Sequence, residues 1–186
     1  GGGAAVWVTN GLMWSGGFGW AQLEPDRWKG VKDYRQVLYG EPDSVWDWAS
    51  VADYRWRFTG RIPNNLVPQA PQLAIKAAAM GWVDGPPSPE QMGAMKAHLR
   101  EWLDVGAVGM AAGLEYQPGA LSSVSELVDL CSVVAAAGGV YAPHQPGYWS
   151  RLPQGCRERC AVARRSRGTG HIPHPAVDAP PAGAPA

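Results

Sequence analysis

The chain has 186 residues, enough for one domain with a real core, and its 16 basic and 16 acidic residues cancel to zero net charge. That balance gives no drive toward nucleic acid or an anionic membrane surface. No apolar run approaches the roughly 20 residues of a membrane helix, and no signal-like segment opens the chain. Three cysteines, an odd number spread from Cys131 to Cys160, make no disulfide framework. They point to a reducing, cytoplasmic setting. The chain opens on Gly1-Gly2-Gly3 without methionine, which reads as a fragment of a longer protein. Ten tryptophans are expected to line core or cleft positions.

In chain order, residues 4–8 read as a buried strand ending at Thr9-Asn10-Gly11, followed by a glycine- and tryptophan-rich loop over 12–20. Residues 24–39 are a modest helix weakened by Gly30, and 51–58 a short one. A strand is expected at 61–67, bounded by Pro68 and Pro71, then one or two helical turns in the alanine-rich 73–80. Gly85-Pro86-Pro87 makes a firm break.

Two strand–helix units follow. Ser88-Pro89-Glu90-Gln91 is a capping box with proline at the first helical position, and Met92, Met95, Leu99, Trp102 and Leu103 form one apolar stripe. Gly106 stops that helix, and 107–110 is a short buried strand leading into a loop over 111–121. Ser123-Val124-Ser125-Glu126 is a second capping box, with a stripe of Leu127, Leu130, Cys131 and Val134. Gly138-Gly139 ends it, and Val140-Tyr141-Ala142 is the next strand. A unit repeating at about 32 residues is the mark of a parallel sheet with crossover helices. Beyond, 154–166 has weak helical spacing and 169–174 reads as a poor, proline-interrupted strand. The tail 179–186 has nothing to bury and is expected to be disordered.

Ligands in such folds sit beyond the carboxyl ends of the strands, where His144 falls. His174 lies 30 residues further on. If the repeat continues, both imidazoles reach one mouth from adjacent strands, a standard way to hold zinc; the competing reading is an ordinary loop histidine and a tail histidine. A rival zinc arrangement, Cys156, Cys160, His171 and His174, has histidine-side spacings shorter than a zinc finger needs and lacks its large apolar residues. His98 reads as a surface residue of the first capped helix. Glu115 and Tyr116, in the loop after the 107–110 strand, are placed to bind a ligand or polarise water, or else are a plain loop acid and a packed tyrosine. No phosphate loop, nucleophile elbow or dinucleotide fingerprint is present.

The stretch Gly106-Ala-Val-Gly-Met-Ala-Ala-Gly-Leu-Glu-Tyr-Gln-Pro-Gly119 resembles the GAxGxSTGLEYxPG element of the N-acyl-D-amino-acid deacylases (D-aminoacylases) of the amidohydrolase superfamily. Gly138-Gly-Val-Tyr-Ala-Pro-His144 is similar to that family's GGxYATH. Trp46-Asp47-Trp48, Asn65-Leu66-Val67-Pro68 and the Ser88-Pro89-Glu90 helix start also resemble family elements. His171-Ile172-Pro173-His174 with Val177-Asp178 looks like its HISHxxxD strand end. The likeness runs from about Val6 to Asp178 and is most specific from Ser88 to His144.

The resemblance implies an α/β fold, an incomplete parallel (β/α) TIM-type barrel over 1–178, best defined over 88–150. A full barrel takes about 250 residues, so roughly four to five strands are expected here. It implies a hydrolase of non-peptide C–N amide bonds, acting on small N-acyl amino acids with zinc or another divalent metal and activated water. His144 and His174 would be metal ligands, and Tyr116, with Glu115 beside it, would meet the substrate. The departures are as informative. The first-strand HxH and the aspartate base after the eighth strand are absent. Gly11 stands at the metal-binding cysteine, Gln69 where many relatives have histidine, and Ala111-Ala112 replace Ser-Thr. On that count the chain alone is expected to be inactive, or a binding remnant.

Overall fold

The computed structural model describes residues 9–13, 16–19, 21, 48, 50–83, 85–114, 116–144 and 152–171. Within them lie strands β1 (Asn10–Met13), β2 (Asn65–Pro68), β3 (Ala70–Pro71), β4 (Gly109–Gly113), β5 (Val140–His144) and β6 (Thr169–Gly170). The helices are α1 (Val51–Trp56), α2 (Gln72–Met80), α3 (Pro89–Asp104), α4 (Val124–Ala136) and α5 (Leu152–Ser166). Every strand pairing is parallel: β1 with β2, and β3-β4-β5-β6 in that order. Only Gln69 separates β2 from β3, and the Val108 N–H donates to the Pro68 carbonyl at 2.9 Å. The strands therefore follow one another as β1, β2/β3, β4, β5, β6, an open parallel run with no closed barrel among the described residues.

The capped helix over 89–104 forms as its sequence dictates. The Gln91 N–H donates to Ser88 Oγ at 3.2 Å and the Ser88 N–H to Gln91 Oε1 at 2.8 Å. Ser88 Oγ also donates to Glu90, which holds that carboxyl below its usual range with help from its own backbone N–H. The stripe then enters the core: Met95, Leu99 and Trp102 are buried, with Met92 and Leu103 packed at its margin. Ser88→Ala removes the N-cap acceptor and is expected to lower the unfolding free energy by about 1 kcal/mol, measured by urea titration; an unchanged midpoint would contradict the cap's role.

In α4 the Ser123 hydroxyl accepts from the Glu126 N–H at 3.2 Å, and Leu127, Leu130, Cys131 and Val134 are buried as the stripe requires. The second half of that box is missing. Glu126 turns inward and meets Lys76 Nζ of α2 at 2.8 Å, both side chains being at most 1% exposed. A carboxylate that can neutralise a buried ammonium is worth far more there than on a backbone amide at the surface.

Several boundaries differ from the sequence reading. The first described strand, Asn10–Met13, starts at the expected strand end and runs on through Leu12 and Met13 into the stretch read as loop; residues 1–8 and the helix expected at 24–39 lie outside the described residues. β4 runs to Gly113, three residues past the expected end, so Ala111 and Ala112 are strand rather than loop. Small residues allow this: a Cβ on Gly109 would collide with the Val140 carbonyl oxygen and lie 2.6 Å from the Val140 nitrogen. β5 includes His144, expected just beyond it. Of the described tryptophans only Trp102 is fully buried; Trp48 is half-buried, Trp82 is exposed and Trp56 is 71% exposed. Trp102 joins Tyr54, Trp48 and Phe58 in an aromatic cluster beneath α1.

Candidate active site

Parallel register brings the last residue of β4, Gly113, opposite the last residue of β5, His144. Both therefore stand at the carboxyl end of the sheet. The chain turns immediately after Gly113, where the Tyr116 N–H donates to the Gly113 carbonyl at 3.1 Å and the Ala120 N–H to the Tyr116 carbonyl at 2.8 Å. This tight turn carries the Tyr116 ring back over β5. Its centroid lies 5.7 Å from that of His144, the planes inclined by 26°. Tyr116 also meets Phe18, centroid to centroid 4.9 Å, the planes tilted by 54°.

Glycines make that stack possible. A Cβ on Gly113 would strike the Gly16 carbonyl oxygen and come within 2.9 Å of the Tyr116 ring. Gly17, at φ +75°, has its backbone against Gly113 and Ala112. The Leu73 N–H donates to the Gly17 carbonyl at 3.2 Å, fixing this loop to the start of α2. Gly16 to Gly19, part of the stretch that showed no period in sequence, thus cover the end of β4, and Phe18 within them packs against the tyrosine.

The turn is anchored below the rim by the buried pair. Ser122, which follows a 3-10 turn (Gly119–Leu121), donates from Oγ to Glu126 Oε1 at 2.8 Å. It accepts from Gln72 Nε2 at 2.8 Å and from Lys76 Nζ at 3.2 Å. Gln72 and Lys76 belong to α2, which starts directly at the end of β3. One buried network so ties two strand-to-helix connections together. Its sequence signal was the pair Gln72 and Lys76, one turn apart in an otherwise apolar, alanine-rich helix.

As candidate metal donors, the described residues fit one position and not a whole set. His144 offers an imidazole at the rim, half-buried and oriented by a ring contact. No group of three His, Cys, Asp or Glu comes together among the described residues. Burial pushes the Cys131 thiol up to about 12, so it is no thiolate donor near neutral pH. Cys156 and Cys160 lie one turn apart on α5, a continuous helix and not the knuckle of a zinc finger. His98 is half-buried on α3. Gln69 is 2% exposed, with no hydrogen bond to its Oε1 among the described residues. Glu115 and His174 lie outside the described residues. The strand that leads toward His174 does run beside β5: β6 pairs with Val140 and Tyr141, and the His171 N–H donates to the Tyr141 carbonyl at 2.8 Å.

No protein-family profile matches the chain. It is 35% identical over 92 residues to the N-acyl-D-glutamate deacylase of Alcaligenes xylosoxydans xylosoxydans, covering 50% of this chain and 19% of that protein. It is 27% identical over 90 residues to the D-aminoacylase of the same organism, covering 48% and 19%. Over about half its length the chain is thus similar in sequence to D-aminoacylases and N-acyl-D-glutamate deacylases. Among solved structures, the N-acyl-D-glutamate deacylase of Bordetella bronchiseptica, complexed with zinc and a phosphonate mimic of the tetrahedral intermediate, superposes with a TM-score of 0.72. The match has 21% identity over 87% of this chain and 33% of that one. A D-aminoacylase gives 0.71 at 22% identity, over 89% and 34%. These neighbours share the fold, and the open parallel run of this chain superposes on part of theirs. The chain spans about a fifth of the curated relatives' length and about a third of the solved ones'. No helix among the described residues is long and apolar enough to cross a membrane.

Proposed function

We propose that this chain is the segment of a metal-dependent deacylase that carries one metal ligand and a substrate-contacting tyrosine. The reaction is hydrolysis of the non-peptide C–N amide bond of an N-acyl amino acid, most naturally of D configuration. The observation that carries the reading is the stacked pair Tyr116–His144 at the carboxyl end of β4 and β5. Support comes from the zinc in the Bordetella deacylase complex and from a D-aminoacylase described as having a binuclear metal center.

In this proposal His144 and, from the next strand, His174 hold zinc, and the metal when bound supplies Lewis acidity to the amide carbonyl. Tyr116 does two things through one ring: its stack limits rotation of the His144 imidazole, and its hydroxyl is presented to the substrate, with Glu115 adjacent in sequence. Phe18 packs against the same tyrosine ring. The balanced charge suits a small-molecule substrate and no nucleic-acid partner, and three free cysteines suit a reducing cytoplasm.

One observation favours a second reading, a binding remnant without turnover: Gly11 of β1 supplies no side-chain donor where the family has cysteine. A chimera separates the two. The matching 92-residue segment of the Alcaligenes N-acyl-D-glutamate deacylase is replaced by its counterpart from this chain and assayed on N-acetyl-D-amino acids. Hydrolysis above that of the same chimera bearing Tyr116→Ala supports the deacylase; no hydrolysis with an intact fold supports the remnant.

A further inference from the structure

A cavity of about 230 Å³ lies between β5, α4, α5 and the turn after β4, which contributes Leu114, Ala120 and Ser122. Its walls combine two kinds of chemistry. Val124 and Leu127 of α4 and Val162 of α5 give it an apolar side, while Tyr141 and Arg159 give it a polar one. Tyr141 is 3% exposed, and its hydroxyl has no hydrogen-bond partner among the described residues. Arg159 is 8% exposed; its Nε donates to the Gly155 carbonyl at a long 3.3 Å and its Nη2 to Cys156 Sγ at 3.3 Å, while no hydrogen-bond partner of its Nη1 is found among the described residues. Native interiors do not readily strand a phenol O–H, because an unmet donor is expensive to bury.

We propose that this cavity binds a short aliphatic monocarboxylate, its carboxylate accepting from the Tyr141 hydroxyl and the Arg159 guanidinium and its alkyl chain lying on Val124, Leu127 and Val162. A guanidinium is matched to the planar fork of a carboxylate. Burial and the neighbouring Cys131 hold the Tyr141 phenol well above its usual range, although Arg159 opposes them, so the hydroxyl is a donor at neutral pH. The volume falls below the roughly 300–1,000 Å³ of sites for drug-sized ligands, which suits a chain of a few carbons. Half-buried Glu158 also lines the cavity, and its carboxylate opposes a bound anion, a repulsion that the Arg159 guanidinium has to offset. The apolar walls favour an alkyl acid over inorganic phosphate.

Isothermal titration of the full chain with sodium butyrate tests the site, with butyramide and inorganic phosphate titrated separately. Saturable 1:1 butyrate binding is expected, with both controls at least tenfold weaker. Tyr141→Phe keeps the ring and deletes only the hydroxyl, and should weaken butyrate by about tenfold or more, the scale of a hydrogen bond to a charged group. Arg159→Met should weaken it further; if that variant does not fold, Tyr141→Phe decides alone. No saturable heat, undiminished binding to Tyr141→Phe, or equal affinity for butyramide or phosphate would overturn the assignment.

Discussion

Replacing Lys76 by methionine is expected to lower the unfolding free energy by about 3–5 kcal/mol, because it leaves the Glu126 carboxylate buried without its cation. Lys76 and Glu126 are 0% and 1% exposed and 2.8 Å apart, so solvent does not dilute the effect as it would at a surface pair. Ser122 and Gln72 still donate to Glu126, but neutral hydrogen bonds do not cancel a charge. The companion variant Lys76→Met with Glu126→Leu removes both charges and should recover most of the loss, since apolar replacement of a buried pair is often neutral or better. Urea titrations of the two variants give the comparison. Equal destabilisation of single and double variants would show that packing, and not the stranded charge, sets the cost. The single variant should also loosen the turn bearing Tyr116, because Ser122 loses one of the donors that hold it.

The second large effect concerns the rim. In the chimera that carries this segment, His144→Ala is expected to reduce kcat/KM for an N-acetyl-D-amino acid by about 10²-fold or more, exceeding the 10–100-fold typical of residues that merely support a metal ligand. His144→Gln, which retains a polar group of similar reach without the imidazole, should not rescue it. Bound zinc measured on the purified variant should fall in step with activity. A His144→Ala chimera with unchanged rate and zinc content would remove the ligand role.

What could be read in the sequence was what is local. A serine three residues before glutamine, with proline between and a 3.6-residue apolar stripe after, fixes the start and buried face of α3 without reference to the rest of the chain. The parallel order of β4, β5 and β6 followed from the recurrence of such units. The arrival of His144 at a strand end was also legible, because the units determine where the strands finish; its ring contact with Tyr116 was not, since the expected partner was His174, which lies outside the described residues.

The misses are of another kind. Gly109 to Gly113 carries no β-branched or aromatic residue, so propensity stops the strand early; its pairing rests instead on how closely bare backbone approaches Val140. Glu126 sits at capping-box spacing, yet a residue 50 positions away takes its side chain. Local grammar has no term for that competition. The cover made by Gly16 to Gly19 is likewise a tertiary contact, legible only once β4 is in place.

The most direct test of the account is metal dependence of the chimera. Dialysis against a chelator should abolish hydrolysis of N-acetyl-D-glutamate, and added zinc should restore it in the parent chimera but not in His144→Ala. Hydrolysis that survives complete removal of divalent metal, or zinc rescue that is indifferent to the imidazole at 144, would contradict the proposal that this strand end holds a catalytic metal.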